Sequence, residues 1–527
     1  MTEAPPEVGG SEDHVRAVAR GGAFNLVGSV VYGAANFVLL AIITNGLGAR
    51  AAGPVIVAIA AFTVLARFAE LGASTGLVRI ISRERALHRA DRIGPTILAA
   101  VIPVVAVGIL FGGILVACAP ALAQLFGGDG QRAEISRLLR AVAPFLPVAA
   151  LYTVLIQGTR GFGHVRALVW VEKIGRAIAM PLVVGIILLA GGTPTAVIVG
   201  WAATSVVALV VASVVMTVLT RAVRRADPVV SAATIDRAEV ARAFWRFSLP
   251  RAAGQSFDVA VLWLDTLIVS ALIGPTDAGI YAVGSRFLLV GAFTMEAIQQ
   301  AVAPRVSELL ARDRREDARA VITRATAWQV ALVWPAYLVV IVFGSVMLGW
   351  FGSEYIEART ALTLLSVGVM IAVLCGPSDA VVLMSGRSRQ SLATSAAAFT
   401  VNLAGNLVLV PIWGISAAGG VWAVTLVVAA GLPALQAWRG LRLAPWSVES
   451  LRVVTLAVGT VGVGAVAARG LLGESGLGLV VGAVVGGTAY AAAAWRLRGS
   501  LHVGSFLSGL RTARSTERVA IGTVQEF

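Results

Sequence analysis

Arg251, Gln255, Asp258 and Asp265 fall on one stripe of a membrane-length apolar run, FWRFSLPRAAGQSFDVAVLWLDTLIVSALI, over residues 244–273. The three charged residues are spaced by sevens, so on a helix they drift by only about 20° per step. A charge in hydrocarbon must be paired or wet, which predicts a water-filled cavity or an ion-pair partner beside this stripe. Arginine there suits an anion, and the carboxylates suit a cation or a proton.

Other ionisable residues sit inside apolar runs: Arg67 and Glu70 in one, Arg286 and Glu296 in another. Arg67 with Glu70 reads equally well as a local i,i+3 ion pair or as part of a transport path. Glu172, Lys173 and Arg176 read structurally, with Glu172 and Arg176 as an i,i+4 pair and Lys173 snorkelling to the interface. Asn402 and Asn406 share a helix face and predict a helix–helix hydrogen bond, while Pro144, Pro147 and Pro377 predict kinks.

The elements that carry these residues must be membrane helices. Of 527 residues, 58% are hydrophobic and 13% charged, outside the range of soluble domains. The fold class expected is an all-α polytopic membrane protein. Windows of about 20 residues give about fourteen spans, near 23–47, 52–78, 93–118, 139–158, 166–190, 194–219, 244–273, 278–303, 322–348, 360–384, 391–412, 414–437, 450–470 and 476–495.

The net charge is +14, but its carriers occupy short loops between apolar runs, which argues against a nucleic-acid partner. Lys173 is the single lysine among 42 basic residues, so a GC-rich coding bias accounts for the arginines. Most of them fall in the N-terminus, the C-terminus and the loops that share their side, which places both ends in the cytoplasm of a plasma-membrane protein. Residues 503–514 combine helical spacing of apolar positions with arginines, as either an inner-leaflet helix or a disordered basic tail.

Adding 226 carries Gly48 to Gly274, Ala52-Gly53 to Ala278-Gly279, Glu70 to Glu296, Arg89 to Arg315 and Asp91 to Asp317, with no gap required. Under this shift Asn25, Ser29 and Tyr32 correspond to Arg251, Gln255 and Asp258, and Asn36 extends that neutral stripe, so the two stripes are expected to face each other. Six spans per repeat is an even number, which makes the repeats parallel with the path between them. The division expected is 1–22 cytoplasmic segment, 23–219 first six-helix lobe, 220–243 linker, 244–437 second lobe, 438–495 two extra helices, and 496–527 basic tail.

No P-loop, zinc motif or nucleophile elbow occurs, and the acidic residues of the external loops are unpaired, so an enzyme is not expected. Cys118 and Cys375 are too isolated for a disulfide framework or a metal site. No cofactor is expected, and energy must come from an ion gradient, the membrane potential or the substrate's own gradient.

Three strings carry a resemblance: ARGGAFNLVGSVVYGAANFVLLAIITNGLGARAAG, ARFAELGASTGLVRIISR and MSGRSRQSLATSAAAFTVNLAGNLVLVPIWGISAAGGVWAVT. From about residue 16 to 440 the chain resembles the polysaccharide (O-antigen/oligosaccharide) flippases of the MOP superfamily, which also holds lipid II flippases and MATE antiporters. The resemblance implies two six-helix lobes whose spans one, two, seven and eight line a cavity. It also implies a cargo, an undecaprenyl-pyrophosphate-linked oligosaccharide moved by alternating access. Membrane lipids, a polysaccharide polymerase and glycosyltransferases would be its partners.

On that reading Arg67, Arg251 and Arg286 receive the pyrophosphate or sugar acids, because a guanidinium donates bidentately to phosphate oxygens. Asn25, Tyr32, Asn36 and Gln255 line the cavity. Asp258, Asp265, Glu70 and Glu296 serve a coupling proton or sodium ion, or gating. Span one lacks the basic residues of lipid II flippases and the acid of MATE antiporters. A cation-coupled antiporter, a lipid II flippase and a non-transporting scaffold remain the alternatives.

Overall fold

The structure is a computed structural model that describes residues 11–128, 130–163, 165–226, 236–385 and 387–496. The side chains of Asn25, Arg251, Gln255 and Asp258 lie outside the described set, as does the 503–514 stretch.

Every described element is helical. The first half consists of α1 (Ser11–Ala69), α2 (Ala73–Ala86), α3 (Ala90–Phe126), α4 (Arg132–Val142), α5 (Leu146–Gly158), α6 (Val165–Leu168), α7 (Ala177–Leu189) and α8 (Pro194–Ala226). A π-helical stretch, Val169–Arg176, joins α6 to α7. The second half consists of α9 (Arg237–Ile273), α10 (Pro275–Arg286), α11 (Leu288–Ala311), α12 (Arg315–Gly349), α13 (Arg359–Leu374), α14 (Ser378–Met384) and α15 (Ser388–Leu441). Finally come α16 (Val448–Ala457), α17 (Val463–Leu472) and α18 (Gly476–Arg496).

Among the described residues nine helical segments are long and apolar enough to cross a membrane. Two of them are hairpins. Tyr32 and Arg67 interact electrostatically although a straight α1 would hold them about 52 Å apart. Gly48, at φ 70° and ψ 164°, is the residue that turns the chain back. In α15 the hinge is Gly414, and a Cβ on Gly405 would lie 2.9 Å from Val421 on the returning limb. Counted by limb, the nine segments make eleven crossings. The remaining three predicted spans correspond to the π-interrupted α6–α7, the charged α9 and the broken α10–α11, which fall short of that standard.

The repeat is visible in the backbone. Gly48 and Gly274 share the same unusual conformation, with φ 70° and 118° and ψ 164° and 163°. Both are left-handed-region values that favour glycine. The expectation of an ungapped register fails further along, because the left-handed residue closing the second span is His88 in one lobe and Asp313 in the other. The helices that follow start at Ala90 and Arg315. Structural equivalence there is 225, so the Arg89–Arg315 and Asp91–Asp317 matches are one residue out of step.

The register changes between the Gly48–Gly274 pair and the His88–Asp313 pair, a stretch in which each second span breaks at its own position. The predicted span 52–78 is interrupted by left-handed Leu71 and Gly72, and Gly72 brings the chain against the Ser248 carbonyl of α9. In the second lobe Tyr337, fully buried on α12, donates to the Phe287 carbonyl at 2.8 Å and accepts from the Gly291 amide at 3.1 Å. These groups are i and i+4, so a hydroxyl occupies the place of a ladder hydrogen bond, an established cause of a helix break. Tyr337→Phe is expected to lower unfolding free energy by about 1–3 kcal/mol, the cost of two buried backbone groups losing a partner. Thermal unfolding of the purified protein measures it, and an unchanged melting curve would mean that the ladder closes without the hydroxyl.

Pro144 lies in a 3-10 turn leading into Pro147 of α5, and Pro377 separates α13 from α14, as the proline positions predicted. Asn402 and Asn406 are both fully buried, but their bond is within α15: the Asn406 amide donates to the Asn402 backbone carbonyl at 2.8 Å and side-chain oxygen at 3.3 Å. The helix–helix bond expected of them is replaced by this local one, because four-residue spacing already brings the two side chains together. The extra helices pack on α12, with Gly482 against Phe343 and the Tyr490 hydroxyl on the Ala331 carbonyl at 3.0 Å.

Candidate functional site

The lobes meet at the end that the arginine distribution assigns to the outside. Gly53 and Gly279, equivalent in the repeat, touch each other: a Cβ on Gly279 would stand 2.8 Å from the Gly53 Cα. Around them, Asn45 Nδ2 donates to the Trp350 carbonyl at 2.7 Å, and the Ala49 amide donates to Glu354 Oε2 at 3.1 Å. Gln131 Nε2 donates to the Thr276 hydroxyl at 3.4 Å, while the Ser270 hydroxyl donates to the Phe126 carbonyl at 2.7 Å. Phe37 adds edge contacts to Phe287 at 5.2 Å and Phe351 at 4.8 Å. Three of these bonds join a side chain of one lobe to a backbone group of the other, which closes the seam at this end.

Inside this seal lie the polar groups of lobe one. Arg67 pairs with Glu70 at 3.0 Å immediately before the helix break. The arginine side chain is 41% exposed and the glutamate 5%, so the pair is accessible through its cation. Tyr32 lies within electrostatic reach of both Arg67 and Arg286, and so links the charged groups of the two lobes. Asn36 spends a donor on the Tyr32 carbonyl in its own helix, at 2.8 Å.

The π-helical stretch overturns two structural expectations. With more than four residues per turn, Glu172 and Arg176 no longer stack as an i,i+4 pair. Both turn instead to Tyr152: its hydroxyl donates to Glu172 at 3.3 Å, and the Arg176 guanidinium lies 5.6 Å from its ring centre. Arg176 also donates to Ser205 at 3.3 Å. Lys173 does not snorkel away but donates to the Ser29 hydroxyl on α1 at 2.6 Å. Ser29 therefore faces its own lobe, and in this respect the neutral stripe of span one departs from the face-to-face arrangement expected.

In lobe two Asp265 is buried, with Oδ2 accepting from the Tyr281 hydroxyl at 2.6 Å and Oδ1 from the Thr266 amide at 2.8 Å. Arg286 stands over the Trp263 ring at 4.5 Å and within electrostatic reach of Asp265. Glu296 is exposed and lies within electrostatic reach of Lys173 across the lobe boundary.

The interior thus gathers Tyr32, Arg67, Glu70, Arg286 and Glu296 from the sequence-derived set, and holds Asp265 in a closed hydrogen-bond set beside them. Tyr152, Glu172, Lys173, Arg176, Trp263 and Tyr281 join them, although the intramembrane-charge pattern does not point to them as site residues. One signal was present, since Lys173 is the only lysine in an arginine-rich chain. Among the described residues no cluster of histidine, cysteine and carboxylate fit to hold a metal occurs.

A sequence profile of the polysaccharide biosynthesis protein family matches residues 18–310, more than half of the chain. The chain belongs to that family. The MatE family profile matches residues 250–411, across the second lobe of this family member. A curated relative from Haloferax volcanii, the probable low-salt glycan biosynthesis flippase Agl15, is 24% identical over 172 residues. That match covers 32% of this chain and 35% of the relative, so the chain is matched over about a third of its length.

Two solved structures show the same fold. The lipid II flippase MurJ in an inward closed conformation superimposes with TM-score 0.68 at 9% identity, covering 91% of this chain and 99% of that one. An inward-facing multidrug resistance MATE transporter of the MOP superfamily gives TM-score 0.64 at 15% identity, covering 81% and 98%. At these identities the likeness is one of architecture, and it places the chain in the MOP fold as a multi-span membrane protein.

Proposed function

We propose that this protein is a flippase that moves a polyprenyl-pyrophosphate-linked oligosaccharide across the plasma membrane by alternating access, for surface polysaccharide synthesis. The observation that carries the reading is the placement of Arg67, Lys173 and Arg286 in the interior between two repeat-related lobes whose outer end is shut. Arginine and lysine suit a pyrophosphate, the one as a bidentate fork and the other as a point charge. The relative's name, a glycan biosynthesis flippase, supports the same cargo class.

In this reading Arg251, Gln255, Asn25, Tyr32 and Asn36 complete the cavity wall, and Asp258, Asp265, Glu70 and Glu296 serve a coupling proton or sodium ion. The arginine asymmetry puts the end opposite this seam toward the cytoplasm, where glycosyltransferases would supply the cargo, and a polymerase would take it up on the far side. The step is transport, with no covalent chemistry.

The test is a deletion strain rescued with wild type, Arg286→Ala or Arg251→Ala at matched protein levels, scoring lipid-linked oligosaccharide on each leaflet. Cargo is expected to accumulate on the cytoplasmic leaflet in the deletion and in both variants. A second reading, a cation-coupled antiporter of small amphipathic molecules, is favoured by the MatE match over the second lobe and the buried Asp265. Unchanged glycolipid in every strain, together with proton-driven export of a fluorescent cation, would select it.

A further inference from the structure

Between the two limbs of the α15 hairpin and the neighbouring α13 runs a groove of about 340 Å³. Its wall on the first limb is Val401, Gly405, Leu409 and Trp413, which are spaced by fours and so form one row along a helix face. Ala417 and Val421 of the returning limb are buried at its floor, while Leu364, Trp413 and Val424 are exposed at its rims.

Two glycines line the groove, for different reasons. A Cβ on Gly405 would press on Val421 at 2.9 Å, so close approach of the limbs requires that glycine. No neighbour demands Gly420, where a Cβ would meet only Leu364, at an ordinary 3.6 Å. Glycine inside a helix is destabilising relative to alanine. What the missing side chain leaves at Gly420 is the open groove.

The dimensions select the occupant. From Trp413 to Val401 the row covers about 18 Å, close to the roughly 15 Å of one hydrocarbon leaflet. It starts beside the hinge Gly414, where a Cβ would lie 4.0 Å from Ile273 at the end of α9. That is the end of the molecule that carries the lobe seam, and the groove runs from it to mid-membrane depth. Trp413 and Ser416 stand at the hinge end, where head groups begin, and every other lining residue is apolar. Spread over its length, the volume leaves a cross-section of about 19 Å², room for one extended chain, whereas a helix about 10 Å across needs several times that.

We propose that this groove is a binding site for one acyl chain of an outer-leaflet phospholipid, with the ester end of the chain at Trp413 and Ser416 and its methyl end at Val401 and Val424. A chain in bulk lipid already lies in hydrocarbon, so close contact with the lining is what holds it. A polyprenyl tail is methyl-branched and longer than a leaflet, and overruns the groove in width and depth. None of the lining residues belongs to the set gathered between the lobes, so the site stands whatever the lobes carry.

The test is photo-crosslinking of the full-length protein in phosphatidylcholine nanodiscs containing a small fraction of phosphatidylcholine with a diazirine at the end of one chain. Val424 in the groove and Val485 on α18 are 54% and 56% exposed, and lie ten residues past Gly414 and nine past Gly476. Lipid that merely surrounds the protein labels the two alike. A seated chain is expected to label Val424 several-fold more than Val485, and a diazirine beside the ester should move the label to Trp413. Gly420→Leu, which fills the groove, should bring Val424 down to the level of Val485. Gly431→Leu on the same helix, where a Cβ meets nothing within 4 Å, should leave the ratio unchanged.

Equal labelling of Val424 and Val485 in wild type, or a ratio untouched by Gly420→Leu, would overturn the site. Loss of the Val424 label to added polyprenol but not to added phosphatidylcholine would overturn the occupant and assign the groove to an isoprenyl chain. The wild-type ratio and the ester-end probe keep the test decisive should Gly420→Leu fail to fold.

Discussion

Gly53→Ala is expected to slow transport by about five- to 150-fold while leaving a folded protein. A Cβ at this position would be 2.7 Å from the Pro275 carbonyl carbon and 2.9 Å from the Thr276 Cα, both backbone atoms at the start of α10. Nothing there is the far end of a flexible side chain, so relief requires the lobes to part. Overpacking of this kind costs about 1–3 kcal/mol, and charged to the outer-closed state alone it shifts the balance of states by about five- to 150-fold. Ala278, fully buried beside the seam, supplies the readout. With Cys118 and Cys375 replaced by serine, Ala278→Cys should resist a membrane-impermeant maleimide in the wild-type background and react in Gly53→Ala. Transport at the wild-type rate in Gly53→Ala would show that the cycle does not need this seam to close.

Asp265→Ala is expected to destabilise the protein and stop transport, and Asp265→Asn separates the two effects. The carboxylate accepts from the Tyr281 hydroxyl and the Thr266 amide inside the protein. Truncation strands the buried Tyr281 hydroxyl and the Thr266 amide, a loss of about 1–3 kcal/mol for each group left without a partner. Asparagine keeps an acceptor for Tyr281 and the same volume, so its melting temperature should lie near that of wild type. If Asp265 serves the coupling ion, Asp265→Asn nevertheless loses gradient-driven transport. Wild-type melting in Asp265→Ala would contradict the structural part, and normal coupled transport in Asp265→Asn would remove Asp265 from the coupling set.

What the sequence discloses of this molecule depends on the range of the interactions involved. Gly48 and Gly274 are legible because a turn with positive φ constrains the residue itself, and the same constraint recurs 226 positions later. The hydrophobic runs are legible because hydrocarbon acts on every residue of a span. The break at Phe287 is not, because its cause is a hydroxyl from Tyr337, fifty positions away and on another helix. VWVEKIGR reads as ordinary helix with a favourable Glu172–Arg176 pair. Its π-turn comes with Gly28 and Tyr152, neither of which is near it in the chain.

The same limit explains the site. Intramembrane charge pointed to Arg67, Glu70, Asp265, Arg286 and Glu296 because burial of charge is penalised wherever it occurs. It could not show which partner each one takes. A long stem permits Lys173 to snorkel to the interface, and the position of Ser29 shows that it turns inward. Sequence identity alone puts the repeat register one residue too long at Arg315, because the breaks at Leu71–Gly72 and Phe287 leave no mark in the residue types.

The measurement that tests the central claim most directly is reconstitution of the purified protein in liposomes carrying a fluorescent polyprenyl-pyrophosphate disaccharide in both leaflets. Dithionite added outside reports the fraction of label that reaches the outer leaflet. The account predicts that wild type makes the inner-leaflet label accessible, faster under an imposed proton or sodium gradient, and that Gly53→Ala does so about five- to 150-fold more slowly. Label that stays on its own leaflet with active wild-type protein, while the same vesicles accumulate a fluorescent cation, would contradict it.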